Sequence, residues 1–288
     1  MSFKTTATIT AFGGRVLKLS HASKSTTTDM ALNLFLPAGA SSSKKVPLLF
    51  YLAGLTCSGD NGLEKGNFLP HAAANNIALV FPDTSPRGLG HEGEDESYDF
   101  GSGAGFYIDA TKAPYSKGYK MASYITQELP KALTAEFSEL DGSRMSITGH
   151  SMGGHGALVL FLKNPGLYKS VSAFAPIANP SNCDWGKKAF SGYFGENEKG
   201  LWSEHDATEL VKGYKGDKLE ILIDVGTGDN FYKQGQLLPE NFEKAAKSAD
   251  KGDGVKIRMQ DGYDHSYFFI STFAKDHVEW AAKALLNA

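Results

Sequence analysis

Residues 144–164 read RMSITGHSMGGHGALVLFLKN, and the way this stretch divides decides the architecture of the chain. RMSIT is a short apolar run of strand type, whereas HGALVLFLKN reads as a buried helix, so a helix is expected over 152–163. Between them four glycines, Gly149, Gly153, Gly154 and Gly156, surround Ser151. An interior helical glycine costs about 1 kcal/mol, so stability does not select such a cluster. Gly149-His150-Ser151-Met152-Gly153 is a G-x-S-x-G between strand and helix, the context in which the motif turns sharply and lifts the serine hydroxyl clear of the backbone. Such a turn leaves no room for a Cβ at Gly149 or Gly153, and Gly154 and Gly156 are expected to let the helix lie close to the sheet. It also aims the helix N-terminus and the Met152 amide at the place where an oxyanion would form.

Working outward, TTATITAF, RVLKLSHAS and MALNLFLP alternate apolar and polar residues as half-buried antiparallel strands do, with Gly13-Gly14 as a hairpin turn. Beyond the loop AGASSSKK the pattern changes. VPLLFYLAG, IALVFPD, RMSITG, SVSAFAP, LEILIDVG and VKIRMQ are read as strands covered on both faces. Amphipathic stretches at 64–75, 119–137, 152–163, 239–250 and 267–286 separate most of them. The expected fold is α/β: one domain over residues 1–288, a doubly wound, mostly parallel sheet with antiparallel N-terminal strands. Ligands in such sheets bind beyond the carboxyl ends of the strands, so chemistry is sought just after each apolar run.

A serine hydroxyl needs a base, and the base a carboxylate, in the chain order serine, acid, histidine. His265 follows the strand VKIRMQ and precedes a helix, which lets it face the turn. His277 falls inside the last helix pattern, where a solvated or core-edge histidine is expected, and His205 has only a short helix after it to recommend it. His150 and His155 are expected to support the turn. For the acid, Asp229 lies in the loop beyond LEILIDVG; Asp224, still inside the strand, is the alternative. Asp261 and Asp264 read as turn residues. The turn AGLTC after VPLLFYL offers the Leu55 amide as a second oxyanion donor beside that of Met152, and places Cys57 on the cleft wall. Trp185, Phe106 and Tyr107 are expected to close the acyl side of the substrate site.

The net charge of −3, with both signs interspersed over 288 residues, gives no basic face for nucleic acid or an anionic membrane. No apolar run reaches the roughly 20 residues of a membrane span, and the start MSFKTTATIT is not a leader sequence, so a cytoplasmic protein is expected. Cys57 and Cys183 are expected to be free thiols; neither they nor the eight histidines have a metal-binding spacing, so no metal or cofactor is expected.

YLAGLTCSGDN, FPDTSPRG, GSGAGFYIDAT, GHSMGGHGAL, WGKKAFSGYFG and GYDHSYFFI together resemble the S-formylglutathione hydrolases, or esterase D family, from about residue 30 to the C-terminus. The resemblance implies an α/β-hydrolase fold, hydrolysis of S-formylglutathione to formate and glutathione in formaldehyde detoxification, side activity on esters, and a homodimer. It carries the nucleophile to Ser151, the acid to Asp229, the base to His265 and the oxyanion amides to Leu55 and Met152. Cys57 matches a cysteine that makes family members sensitive to thiol reagents. The chain departs from the family's pattern in NGLEKGNFLPHA, at Tyr115 where tryptophan is usual, and at Asp184 where proline is usual, all in loops expected to line the cleft.

Overall fold

All nine expected strands form in the computed structural model, which describes residues 2–216 and 219–287. They are β1 (Lys4–Ala11), β2 (Gly14–Ala22), β3 (Asp29–Leu36), β4 (Val46–Leu52), β5 (Ala78–Pro82), β6 (Leu140–His150), β7 (Val171–Phe174), β8 (Ile221–Gly226) and β9 (Val255–Gln260). They make one sheet in the order β1-β2-β3-β5-β4-β6-β7-β8-β9. β1 to β3 and β5 pair antiparallel; from β5 through β4 to β9 every pairing is parallel. The order reverses beside β4, which lies between β5 and β6, and in open α/β sheets the crevice outside such a point takes the ligand. The turn after β4 and the elbow after β6 meet there.

β4, β5, β7 and β8 are buried along their whole length, as their mostly apolar runs without alternation require. β9 is a correction: VKIRMQ is only half-buried, because it is the sheet's edge and has one strand neighbour. Its alternation of Val255, Ile257 and Met259 with Lys256, Arg258 and Gln260 fits that place. β1, at the other edge, is exposed over most of its length.

Helices Met152–Lys163 and Tyr267–Leu286 fall where expected, and Pro239–Ser248 nearly so. Two expected helices are interrupted. Residues 64–75 lie in two short helices, Gly59–Lys65 and Leu69–Ala74, separated at Gly66–Phe68, where Asn67 has φ +56°; Pro70 stands in the first turn of the second helix. Across 119–137 a turn at Met121–Ser123 leads through a π-helical segment, Tyr124–Glu128, into Leu129–Glu136. Pro130 lacks the N–H that would continue α-type bonding there. Helix Asp184–Tyr193 was not anticipated; it begins with Cys183 Sγ accepting from the Gly186 amide.

Candidate active site

Ser151 sits at the elbow between β6 and helix Met152–Lys163 with φ +58° and ψ −117°, a strained backbone for a residue bearing a side chain. Its amide donates to Phe174 O of β7 (2.9 Å), and its carbonyl accepts from His155 N (2.9 Å) and Ile177 N (3.2 Å), so neighbouring elements hold the strain in place. A Cβ on Gly149 would lie 2.2 Å from Gly153 O, and one on Gly153 would lie 2.0 Å from Leu52 O. The turn therefore admits no side chain at either position. Gly156 differs from expectation: what approaches it is the ring of Tyr107, which a Cβ would meet at 2.6 Å.

The turn after β4 lies against Ser151, since a Cβ on Gly54 would come within 3.1 Å of Ser151 Cβ. Gly54 O accepts from Cys57 N (3.0 Å), and this bond closes a turn with Leu55 and Thr56 at its centre. The Leu55 amide donates to no group among the described residues, and the Met152 amide is one of the orphan N–H groups of a first helical turn. Two unspent donors thus flank the serine.

His265 reaches the elbow from the loop between β9 and the last helix. Its ring centroid lies 4.4 Å from that of His150, the residue before Ser151. Its Nδ1 lies 2.5 Å from Asp229 Oδ2. An ionised carboxylate only accepts, so Nδ1 carries the proton and Nε2 keeps a free lone pair. The second Asp229 oxygen accepts from the amides of Phe231 (2.7 Å) and Tyr232 (3.3 Å), fixing a carboxylate that is fully buried. Ser151 Oγ makes no side-chain hydrogen bond to the helix it caps and none to His265 among the described residues; such contacts in ligand-free sites often tighten only with substrate.

The other candidates separate cleanly. Asp224 is bound by Arg258 through Nε (2.6 Å) and Nη2 (2.5 Å) and by His277 Nε2 (3.3 Å), and does not meet His265. His277 is a correction, being fully buried and stacked 3.6 Å from Phe174. His205 is held by Leu201 O and Lys163 Nζ. Asp264 accepts from Ser266, and Asp261 from Thr227, as turn residues do. Burial and the nearby His265 push the His150 pKa well below the usual range, and burial lowers that of His155 to about 3, so both rings are neutral props.

Cys57 is a partly exposed free thiol whose pKa is raised by burial, against a hydrogen bond from Tyr267. Trp185 reaches the site indirectly: it packs on Phe231 (4.6 Å), whose ring stands edge-on to His265 (4.8 Å). Phe231 was missed, its only sequence signal being its place two residues after Asp229. Phe106 is fully buried with its ring 5.8 Å from His155, so it offers no accessible surface to a substrate in this structure. A cavity of about 540 Å³ lined by Tyr168, Lys169, Trp280 and Lys283 lies at the amino ends of β7 and β8, away from these groups.

A family model described as "Putative esterase" matches residues 23–281. The S-formylglutathione hydrolase of Mus musculus is 50% identical over 285 residues, 99% of each chain, and that of Arabidopsis thaliana is 50% identical over 274 residues, 95% of each. The chain belongs to the S-formylglutathione hydrolase family. The solved structure of the family's Agrobacterium tumefaciens member superposes with a TM-score of 0.92 at 44% identity, covering 99% of this chain and 100% of that one. A Staphylococcus aureus S-formylglutathione hydrolase structure, 19% identical with a TM-score of 0.70, shares the fold.

One departure from the family's pattern sits elsewhere than expected. Tyr115 is buried among Phe100, Tyr119 and Tyr193 and donates to Glu92 O (2.8 Å), so it packs a loop and does not face the cleft. Asp184 is exposed in the first turn of its helix, where a negative charge suits the dipole.

Proposed function

We propose that the chain, a single domain over residues 1–288, hydrolyses S-formylglutathione to formate and glutathione, with side activity on short-chain esters. The observation that carries this reading is the Asp229–His265 pair beside a strained Ser151, flanked by the Leu55 and Met152 amides, in a chain half identical to named S-formylglutathione hydrolases. His265 Nε2 takes the proton of Ser151 Oγ, and the oxygen attacks the formyl carbon. The two amides hold the tetrahedral oxyanion. Collapse expels the glutathione thiolate, whose conjugate acid resembles a cysteine of pKa about 8.5 and so leaves readily near neutral pH. Water activated by the same imidazole then attacks the formyl-Ser151 ester and releases formate. The scheme needs no cofactor or metal.

Phe231, backed by Trp185, walls the acyl side, and a formyl group needs little room there. The wider role we assign is formaldehyde detoxification in the cytoplasm, by a homodimer; among the described residues no helix is long and apolar enough to cross a membrane. The deciding experiment measures kcat/KM of the purified protein on S-formylglutathione and on 4-nitrophenyl acetate. A clear preference for the thioester is expected, with Ser151→Ala removing about 10⁵-fold or more of the turnover. Preference for the acetate would make the chain a general esterase. Activity surviving in Ser151→Ala would displace the nucleophile.

A further inference from the structure

The two oxyanion amides stand on independent elements, Leu55 on the turn after β4 and Met152 on the elbow helix. Their convergence on one oxygen requires something to fix the distance between those elements. Tyr107 touches both. Its hydroxyl donates to Ala53 O (2.9 Å), two residues before Leu55. Its ring lies against Gly156, one turn along the helix from Met152, closely enough that a Cβ there would fall 2.6–2.8 Å from Tyr107 Cδ2, Cγ and Cβ. The same Ala53 oxygen faces the elbow, 2.6 Å from where a Gly153 Cβ would stand. Tyr107 has no exposed surface, and it and Phe106 hold consecutive left-handed conformations (φ +52° and +50°). Residues with side chains keep such a backbone only where their surroundings impose it.

We propose that Tyr107 is a positioning residue that sets the gap of the oxyanion hole, bracing the Leu55 turn against the elbow helix. It touches no reacting atom and acts through the Ala53 carbonyl. The hydroxyl stays a donor at any working pH, since burial raises its pKa well above the ordinary value. The far end of the turn is tied separately: Thr84 Oγ1 donates to Cys57 O (2.6 Å), and Arg87 Nη2 reaches the same oxygen (3.3 Å). Removing the Tyr107 hydroxyl therefore frees only the end that carries Leu55. This inference rests on the proposed serine mechanism but not on the identity of the thioester.

The test compares Tyr107→Phe with the unaltered protein on S-formylglutathione and on 4-nitrophenyl acetate, and adds the affinity of a small boronic acid, whose adduct places an oxygen in the hole. Expected are a kcat loss of about tenfold or more on both substrates, KM changed by less than about threefold, and boronate affinity weakened in step with kcat/KM. Gly156→Ala, which pushes the ring from the helix side, is expected to reproduce the pattern if Tyr107→Phe folds poorly. A lower melting temperature with kcat per folded molecule unchanged would overturn the proposal, leaving Tyr107 a packing residue. So would a loss confined to KM of the thioester. If the unaltered protein ignores S-formylglutathione, the substrate reading fails while the acetate and boronate arms still decide the role of Tyr107.

Discussion

Two aspartate–histidine pairs begin on or just after β8, and they do different work. In Asp229–His265 the carboxylate lies in the loop past the strand and the imidazole is 17% exposed, against His150 of the elbow. In Asp224–His277 both side chains are wholly buried, and Arg258 adds a bidentate clamp on the same carboxylate. Both join a carboxylate to an imidazole, through Nδ1 in the first and Nε2 in the second. What separates them is which side of the strand's end they occupy: past it, a histidine can meet water and substrate; before it, the pair is sealed under the last helix and its charge must be matched by a cation. Proximity of an aspartate to a histidine therefore does not by itself mark a triad.

The largest expected effect follows from exchanging acid for amide at each pair. Asp229→Asn can no longer hold the His265 tautomer with Nδ1 protonated, and kcat should fall by about 10²–10⁴-fold with the melting temperature little changed. Asp224→Asn should do the reverse, keeping kcat within about threefold while costing about 2–4 kcal/mol, because Arg258 and His277 lose a buried counter-ion. That cost corresponds to a melting temperature lower by about 5–10 °C. Steady-state kinetics and thermal unfolding on the two variants check both halves. If Asp224→Asn is the one that loses turnover, the acid is misassigned and the comparison inverts.

The sequence made Asp229 preferable to Asp224 for a reason the structure repeats: one lies past the apolar run and the other within it. Strand positions were legible because four of the buried strands are mostly apolar segments without alternation, which only a covered sheet accommodates. The elbow was legible because Gly149 and Gly153 serve a local turn. What stayed hidden depends on contacts between distant segments. His277 reads as a boundary residue until Asp224 and Phe174 are seen around it. Gly156 reads as a helix-to-sheet contact until Tyr107, 49 residues earlier in the chain, is seen against it. β9 was misread despite a local signal, since its alternation of apolar and polar side chains is that of an edge.

The smallest expected effect, and the sharpest test of the comparison, comes from Arg258→Met, which turns the sealed pair into a two-member pair like Asp229–His265. Burial pushes His277 below its ordinary value, the bond to Asp224 opposes that, and Arg258 adds to the lowering. Losing Arg258 should therefore move the His277 pKa upward. In the unaltered protein a histidine with a depressed folded pKa binds fewer protons folded than unfolded. Stability accordingly drops as pH falls below about 6.5 towards the folded value. Burial raises the Asp224 carboxyl, but the bonds from His277 and Arg258 outweigh it and leave the pKa lowered. Its contribution is present above about pH 3.9 and is lost as pH falls through the folded value. Arg258→Met should weaken the second contribution and soften the first. The expected result is a loss of about 1–2 kcal/mol at pH 7, with a shallower fall of stability between pH 6.5 and 5 and acid unfolding that begins at a higher pH. Melting curves across pH and an NMR titration of the His277 ring protons measure each part. Turnover at neutral pH should stay within about twofold; a tenfold loss would mean that the buried pair feeds Asp229–His265 through β8, and that the two are a single device.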